Sequence, residues 1–115
     1  MRVLIMAKEG EQSEAATPPT PEAMAEYQKF NEELVKAGVV LEAGRLHPSP
    51  QGKRVRFDGK KRTVIDGPFA ETKELVAGYW LWQVRSMDEA LEWLKRAPYD
   101  GGIFEIRQIL EHEGM

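Results

Sequence analysis

Asp66 closes the run Lys61–Asp66 and is followed by Gly67-Pro68, so a carboxylate stands where an extended segment turns. At the edge of an apolar cavity, desolvation would raise its pKa and make it a general base. An aspartate in this setting also bonds the backbone of its own turn, and both readings stay open. His47 is the histidine outside the C-terminal tail, which holds His112. It follows an extended run and can pass a proton or donate to a substrate oxygen; before a proline in a polar loop it is also an ordinary solvated residue. Arg45 precedes it by two positions, so the two side chains share a strand face. On a cavity face Arg45 pairs with Asp66 or binds an acidic substrate. On the other face it covers a helix or meets Glu42. Tyr27 either offers its hydroxyl to a pocket or joins Met24, Phe30 and Leu34 in a core stripe. The candidates are therefore Asp66 and His47 for catalysis, with Arg45, Tyr27, Phe69 and Trp80 for holding substrate. Trp80, and Trp82 beside it, can stack a planar ligand or fill an interface.

Other chemistries are excluded by composition. The 115 residues contain no cysteine and only two histidines, which removes thiol nucleophiles, Cys-ligated metals and multi-histidine sites. No phosphate loop, nucleophile elbow or zinc motif occurs, so neither cofactor nor metal is expected. With 42% hydrophobic and 30% charged residues, residues 1–115 read as a single soluble domain. The apolar start is cut short by Lys8, Glu9 and Glu11, too soon for a signal peptide, and no run approaches the ~20 apolar residues of a membrane span. Cytoplasm is the expected compartment. Residues 53–62 carry six basic groups and one acidic, leaving the rest of the chain at −8 against an overall −3. Such a ribbon can lie on phosphates, but with Phe57 as its aromatic it reads as a charged, aggregation-resistant hairpin edge rather than a nucleic-acid surface.

The elements that must position these residues follow from local signals. Residues 2–8 alternate as a strand, apolar on both faces, and residues 9–19 form a polar loop. Thr20 caps a helix that begins at Pro21 and ends at Gly38. Val39–Leu46 is a strand, His47–Gly52 a loop, and Lys53–Phe57 with Lys61–Asp66 a hairpin around Asp58-Gly59, the insert spanning 53–66. Glu71–Val76 suggests a helical turn with internal ion pairs. Tyr79–Arg85 is an aromatic strand, Ser86-Met87-Asp88-Glu89 a capping box, and the second helix runs to Pro98. Ile103–Leu110 is the last strand.

The order β-α-β, hairpin, β-α-β predicts an α+β, ferredoxin-like antiparallel sheet with both helices on one face. Strands 79–85 and 103–110 are nevertheless apolar on both faces, and an uncovered apolar sheet face marks an interface. A homodimer whose sheets pack face to face is expected.

The run Asp66-Gly67-Pro68-Phe69, with Glu71-Thr72-Lys73-Glu74, Gly78-Tyr79-Trp80 and Asp88-Glu89-Ala90-Leu91-Glu92-Trp93, resembles the YCII-related family in its DGPF-domain branch. Glu33-Leu34, Ala37-Gly38-Val39, Gly44, Leu46 and Pro48 fit the same pattern over nearly the whole chain. The resemblance implies a dimeric α+β barrel. It also implies distant kinship with muconolactone isomerases and a chloromuconolactone dehalogenase, and for some members a link to extracytoplasmic-function sigma factors. Members of the YCII type are suspected enzymes built on a His–Asp pair, the histidine lying on the first helix. Tyr27 stands at that position here, so the pair is not carried over. Two functions are compatible with this. One is a cofactor-independent enzyme doing acid/base chemistry on a small organic acid or lactone in a dimer cavity. The other is a non-catalytic ligand-binding or regulatory module.

Overall fold

The computed structural model describes residues 1–8, 20–71, 75–99 and 101–111. Its elements are β1 (Arg2–Lys8), α1 (Pro21–Lys36), β2 (Val40–Arg45), β3 (Lys53–Asp58), β4 (Lys61–Asp66), β5 (Val76–Gln83), α2 (Met87–Lys95) and β6 (Phe104–Gln108). Four strands form one sheet in the order β2-β5-β1-β6, each pairing antiparallel, and β3-β4 form a separate two-stranded sheet. This is the ferredoxin-like α+β arrangement, with β5 inserted between the β1 and β2 strands that α1 joins. No described helix is long and apolar enough to cross a membrane.

Local chemistry sets the helix limits. Thr20 Oγ1 accepts from the Ala23 N–H at 3.1 Å and Pro21 occupies the first turn, where its missing N–H leaves no bond unmade. Gly38 ends α1 at φ 71°, a left-handed conformation that other residues adopt only with strain. At α2 the Ser86 Oγ accepts from the Glu89 N–H at 3.1 Å, while the Glu89 carboxylate accepts from the Arg85 N–H at 2.7 Å. The reciprocal bond thus reaches one residue before the cap.

Both helices lie on one face of the sheet. Val3 and Ile5 of β1, Trp80 and Trp82 of β5, and Val84 are buried against Phe30 and Leu34 of α1 and Ala90 of α2. Val3, Ile5, Leu34 and Trp82 are fully sealed from solvent. On the opposite face Leu4 pairs with Leu81 and Met6 with Tyr79, flanked by the Glu105–Arg107 ion pair and by Glu42, which accepts from the Tyr79 hydroxyl at 2.6 Å. No described helix covers that apolar centre.

Some expected boundaries are corrected. Val76 belongs to β5, so no helical turn runs as far as Val76; the ion pairs expected within 71–74 involve residues 72–74, outside those described, as are the loop 9–19 and His112. The last strand is shorter than 103–110 because only Phe104–Gln108 pair with β1 in ladder fashion. The hairpin turns on Gly59-Lys60 rather than Asp58-Gly59, since Asp58 pairs with Lys61.

Candidate functional site

A cavity of about 620 Å³ opens at one end of the sheet, between α1, the segment before β6 and the helix-covered sheet face. Its volume falls in the ~300–1,000 Å³ range of small-molecule sites. The space exists because the floor is built from small residues: Ala7, Ala43, Ala77 and Gly78. The apolar stripe of α1 divides there. Phe30 and Leu34 are core, whereas Met24 and Tyr27, nearer the helix start, look into the cavity.

Aromatic rings make the wall. Tyr27 and Tyr99 stack at 4.8 Å between centroids, Tyr99 meets Phe104 at 4.8 Å, and Trp80 packs edge-on against Tyr99 at 6.3 Å. Asn31 locks this wall to the helix: its Oδ1 accepts from Trp80 Nε1 at 3.0 Å and its Nδ2 donates to the Tyr27 carbonyl at 2.9 Å. Burial pushes the Tyr99 phenol above its ordinary pKa; Tyr27 adds to that and Arg45 opposes it. Tyr99 is therefore a neutral proton donor through the physiological range.

Arg45 lies on the helix-covered face, because its cross-strand partner is Gly78 and that register continues through Ala43 to buried Trp80. It neither meets Glu42, which faces the other way toward Tyr79, nor pairs with Asp66. Lys8 lines the same cavity. A break in register between Ala7 and Lys8 turns this residue out of the regular alternation that its neighbours follow. Among the described residues, neither cation has a carboxylate partner, and no carboxylate or imidazole lines the cavity.

Tyr27, Arg45 and Trp80 are thus brought together, while Asp66, His47 and Phe69 are not among the residues lining this cavity. Asp66 is exposed at the base of the hairpin in an ion pair with Lys53, its cross-strand neighbour. His47 is exposed just beyond β2. Phe69 lies under the Arg54 guanidinium at 3.9 Å, and its N–H donates to Ser49 Oγ at 3.3 Å. Gly67 N donates to Gly52 O at 2.9 Å, and a Cβ at Gly67 would lie 1.8 Å from the Ser49 carbonyl oxygen. The Asp66–Phe69 segment therefore clamps the hairpin onto the turn at Ser49–Gln51, a contact that only glycine permits.

Lys8, Asn31 and Tyr99 escaped the sequence reading. Asn31 carries a signal in its spacing, four residues after Tyr27 and hence on the same helix face. Tyr99 precedes a glycine pair, a loop position that sequence does not aim. Among the described residues no three His, Cys, Asp or Glu side chains gather as metal ligands.

The family model described as the YCII-related domain matches residues 1–113. An uncharacterized protein of Rhizobium meliloti (strain 1021), R00369, is 34% identical over 89 residues, covering 75% of this chain and 72% of the relative. Among solved structures, the 5-chloro-2-hydroxyhydroquinone dehydrochlorinase TftG from Burkholderia phenoliruptrix AC1100, in complex with 2,5-dihydroxybenzoquinone, aligns with a TM-score of 0.48 and 17% identity over 91% of each chain.

Proposed function

Because the chain belongs to the YCII-related family, with an aromatic cavity whose Arg45 has no carboxylate partner among the described residues, we propose that it binds a small organic acid or lactone and acts on it by acid/base chemistry without a cofactor, as a homodimer. The observation that carries this reading is Arg45: a guanidinium at a concave aromatic site, with no carboxylate to neutralise it among the described residues. Such a group favours a ligand carboxylate, which matches its planar fork of donors. The proton-handling groups at hand are the Tyr27 and Tyr99 phenols. Within one chain Asp66 is held by Lys53, so its service as a base requires the cavity of the partner copy. The same holds for exposed His47.

A second reading, a non-catalytic ligand-binding or regulatory module, draws on the absence of carboxylate and imidazole from the cavity lining among the described residues. A thermal-shift screen of small acids, lactones and matched neutral compounds tests the binding common to both. A ligand that binds the native state raises the melting temperature by mass action. Organic acids should do so with the parent and not with Arg45→Met. Equal stabilisation by neutral compounds, unaffected by Arg45→Met, would overturn the proposal. Turnover of a stabilising acid or lactone by the parent then separates enzyme from module.

A further inference from the structure

The structure assigns a ligand class to this cavity: we infer that it takes a planar aromatic carboxylate, the carboxylate held between Lys8 and Arg45 over Gly78 and the ring against the wall of Tyr99, Phe104 and Trp80. This rests on the organic-acid reading above and narrows it. Gly78 pairs with Ala7 of β1 on one side and with Arg45 of β2 on the other. The two outer strands flank β5 at ~5 Å each, so the Ala7 and Arg45 backbones stand about 10 Å apart across a residue that has no side chain, and Lys8 follows Ala7 directly, beyond the register break. Their long arms reach inward from both sides over that bare strip. A Cβ at Gly78 would lie 2.9 Å from the Gly44 carbonyl oxygen and 3.9 Å from Arg45 Cγ, so the glycine leaves both the strand pairing and the Arg45 stem undisturbed.

Lys8 reaches the cavity through the register break at Ala7/Lys8, an irregularity that re-aims one side chain where regular alternation would send it to the opposite face. Two cations at one cavity repel each other unless an anion lies between them. Beside them stands an aromatic surface: Tyr99 is 39% exposed, and Trp80 and Phe104 stack at 6.1 Å behind it. A flat ring offers such a surface its π-face or edge, a gain that a puckered ring of similar size lacks.

Titration calorimetry with benzoate, cyclohexanecarboxylate and benzamide separates the two parts of the inference. Benzoate should bind about 3–10-fold more tightly than cyclohexanecarboxylate, the worth of one aromatic contact. It should bind at least about 10-fold more tightly than benzamide, which lacks the charge. Arg45→Met and Lys8→Met should each weaken benzoate about 10-fold or more, while Lys36→Met, in the last turn of α1 and not among the cavity's lining residues, should leave it unchanged. Near-ultraviolet circular dichroism of the buried tryptophans verifies that each variant is folded. Cyclohexanecarboxylate binding as tightly as benzoate would overturn the aromatic assignment and leave the organic-acid reading standing. Loss on Arg45→Met without loss on Lys8→Met would overturn the two-cation clamp alone. Benzamide binding as tightly as benzoate, with neither substitution mattering, would overturn both the inference and the reading beneath it.

Discussion

The ring of Tyr99, in the segment between α2 and β6, stacks on the ring of Tyr27 in α1 with centroids 4.8 Å apart and planes 21° from parallel. The contact joins parts of the chain 72 positions apart and closes one wall of the cavity. Since Tyr99 also meets Phe104 and Trp80, it is the hinge of the aromatic cluster.

Tyr99→Leu should therefore destabilise the fold by about 1–3 kcal/mol, the sum of two or three aromatic contacts discounted for partial exposure. Tyr99→Phe should be nearly neutral in stability at pH 7. Burial raises the folded-state pKa of this phenol, so its contribution is present below the ordinary value of 10.0 and lost as pH rises through the folded value. Urea unfolding at pH 7, and absorbance titration of tyrosinate above pH 10.0, check the two variants.

Gly67→Ala and Gly38→Ala should differ in degree because their reasons differ. At Gly38 the new methyl meets open space and the strain is that of a left-handed backbone, about 1 kcal/mol. At Gly67 the methyl would collide with the Ser49 carbonyl, backbone against backbone, so the Ser49–Gln51 turn must move. The larger fall in melting temperature should belong to Gly67→Ala. An equal or smaller fall would show that the clamp is not rigid.

Asp66→Asn should change stability by less than about 1 kcal/mol, because the ion pair it breaks is solvent-exposed on both sides. Thermal unfolding of the folded variant checks this. If the variant also loses turnover of a substrate found by the screen, Asp66 serves a partner's cavity rather than its own turn.

Glu89 gives an acid limb to the stability curve. The Arg85 backbone N–H is the largest influence holding its carboxyl below the ordinary value of 4.5, ahead of the opposing effect of partial burial. A lowered folded pKa contributes stability that is complete above 4.5 and lost as pH falls through the folded value. Glu89→Gln should thus lower stability at pH 7 by about 0.5–1 kcal/mol and show a shallower loss on acidification. Denaturant midpoints measured from neutral pH down to acid give both quantities.

The uncovered face centred on Leu4, Met6, Tyr79 and Leu81 yields the last prediction. The parent should sediment as a dimer, and Leu81→Glu, which places like charges opposite each other across a two-fold interface, as a monomer. A parent that is monomeric at micromolar concentration would remove the face-to-face dimer.

What the sequence by itself determined lies within a turn or two of chain. Thr20 and Ser86 mark helix starts, Gly38 marks an end, and Asp58-Gly59 mark a hairpin, because caps and tight turns are satisfied by neighbours three or four positions away. The alternation of β5 showed that both sheet faces would be apolar, and the element order was enough for the ferredoxin-like sheet. The Lys53–Asp66 pairing was not given with the hairpin, because a turn on Asp58-Gly59 would set Lys53 opposite Val64, and the turn on Gly59-Lys60 sets it opposite Asp66. The cavity was not legible in this way. Lys8 enters it through a register break that no residue type announces, and Arg45 does so because β2 pairs with β5 in one register rather than the next. A slip of one residue would send Arg45 to the opposite face. Tyr99 completes the wall only when the chain returns to place β6 beside β1. Local propensity depends on near neighbours, whereas the site depends on which distant strands lie side by side, and tertiary packing alone decides that.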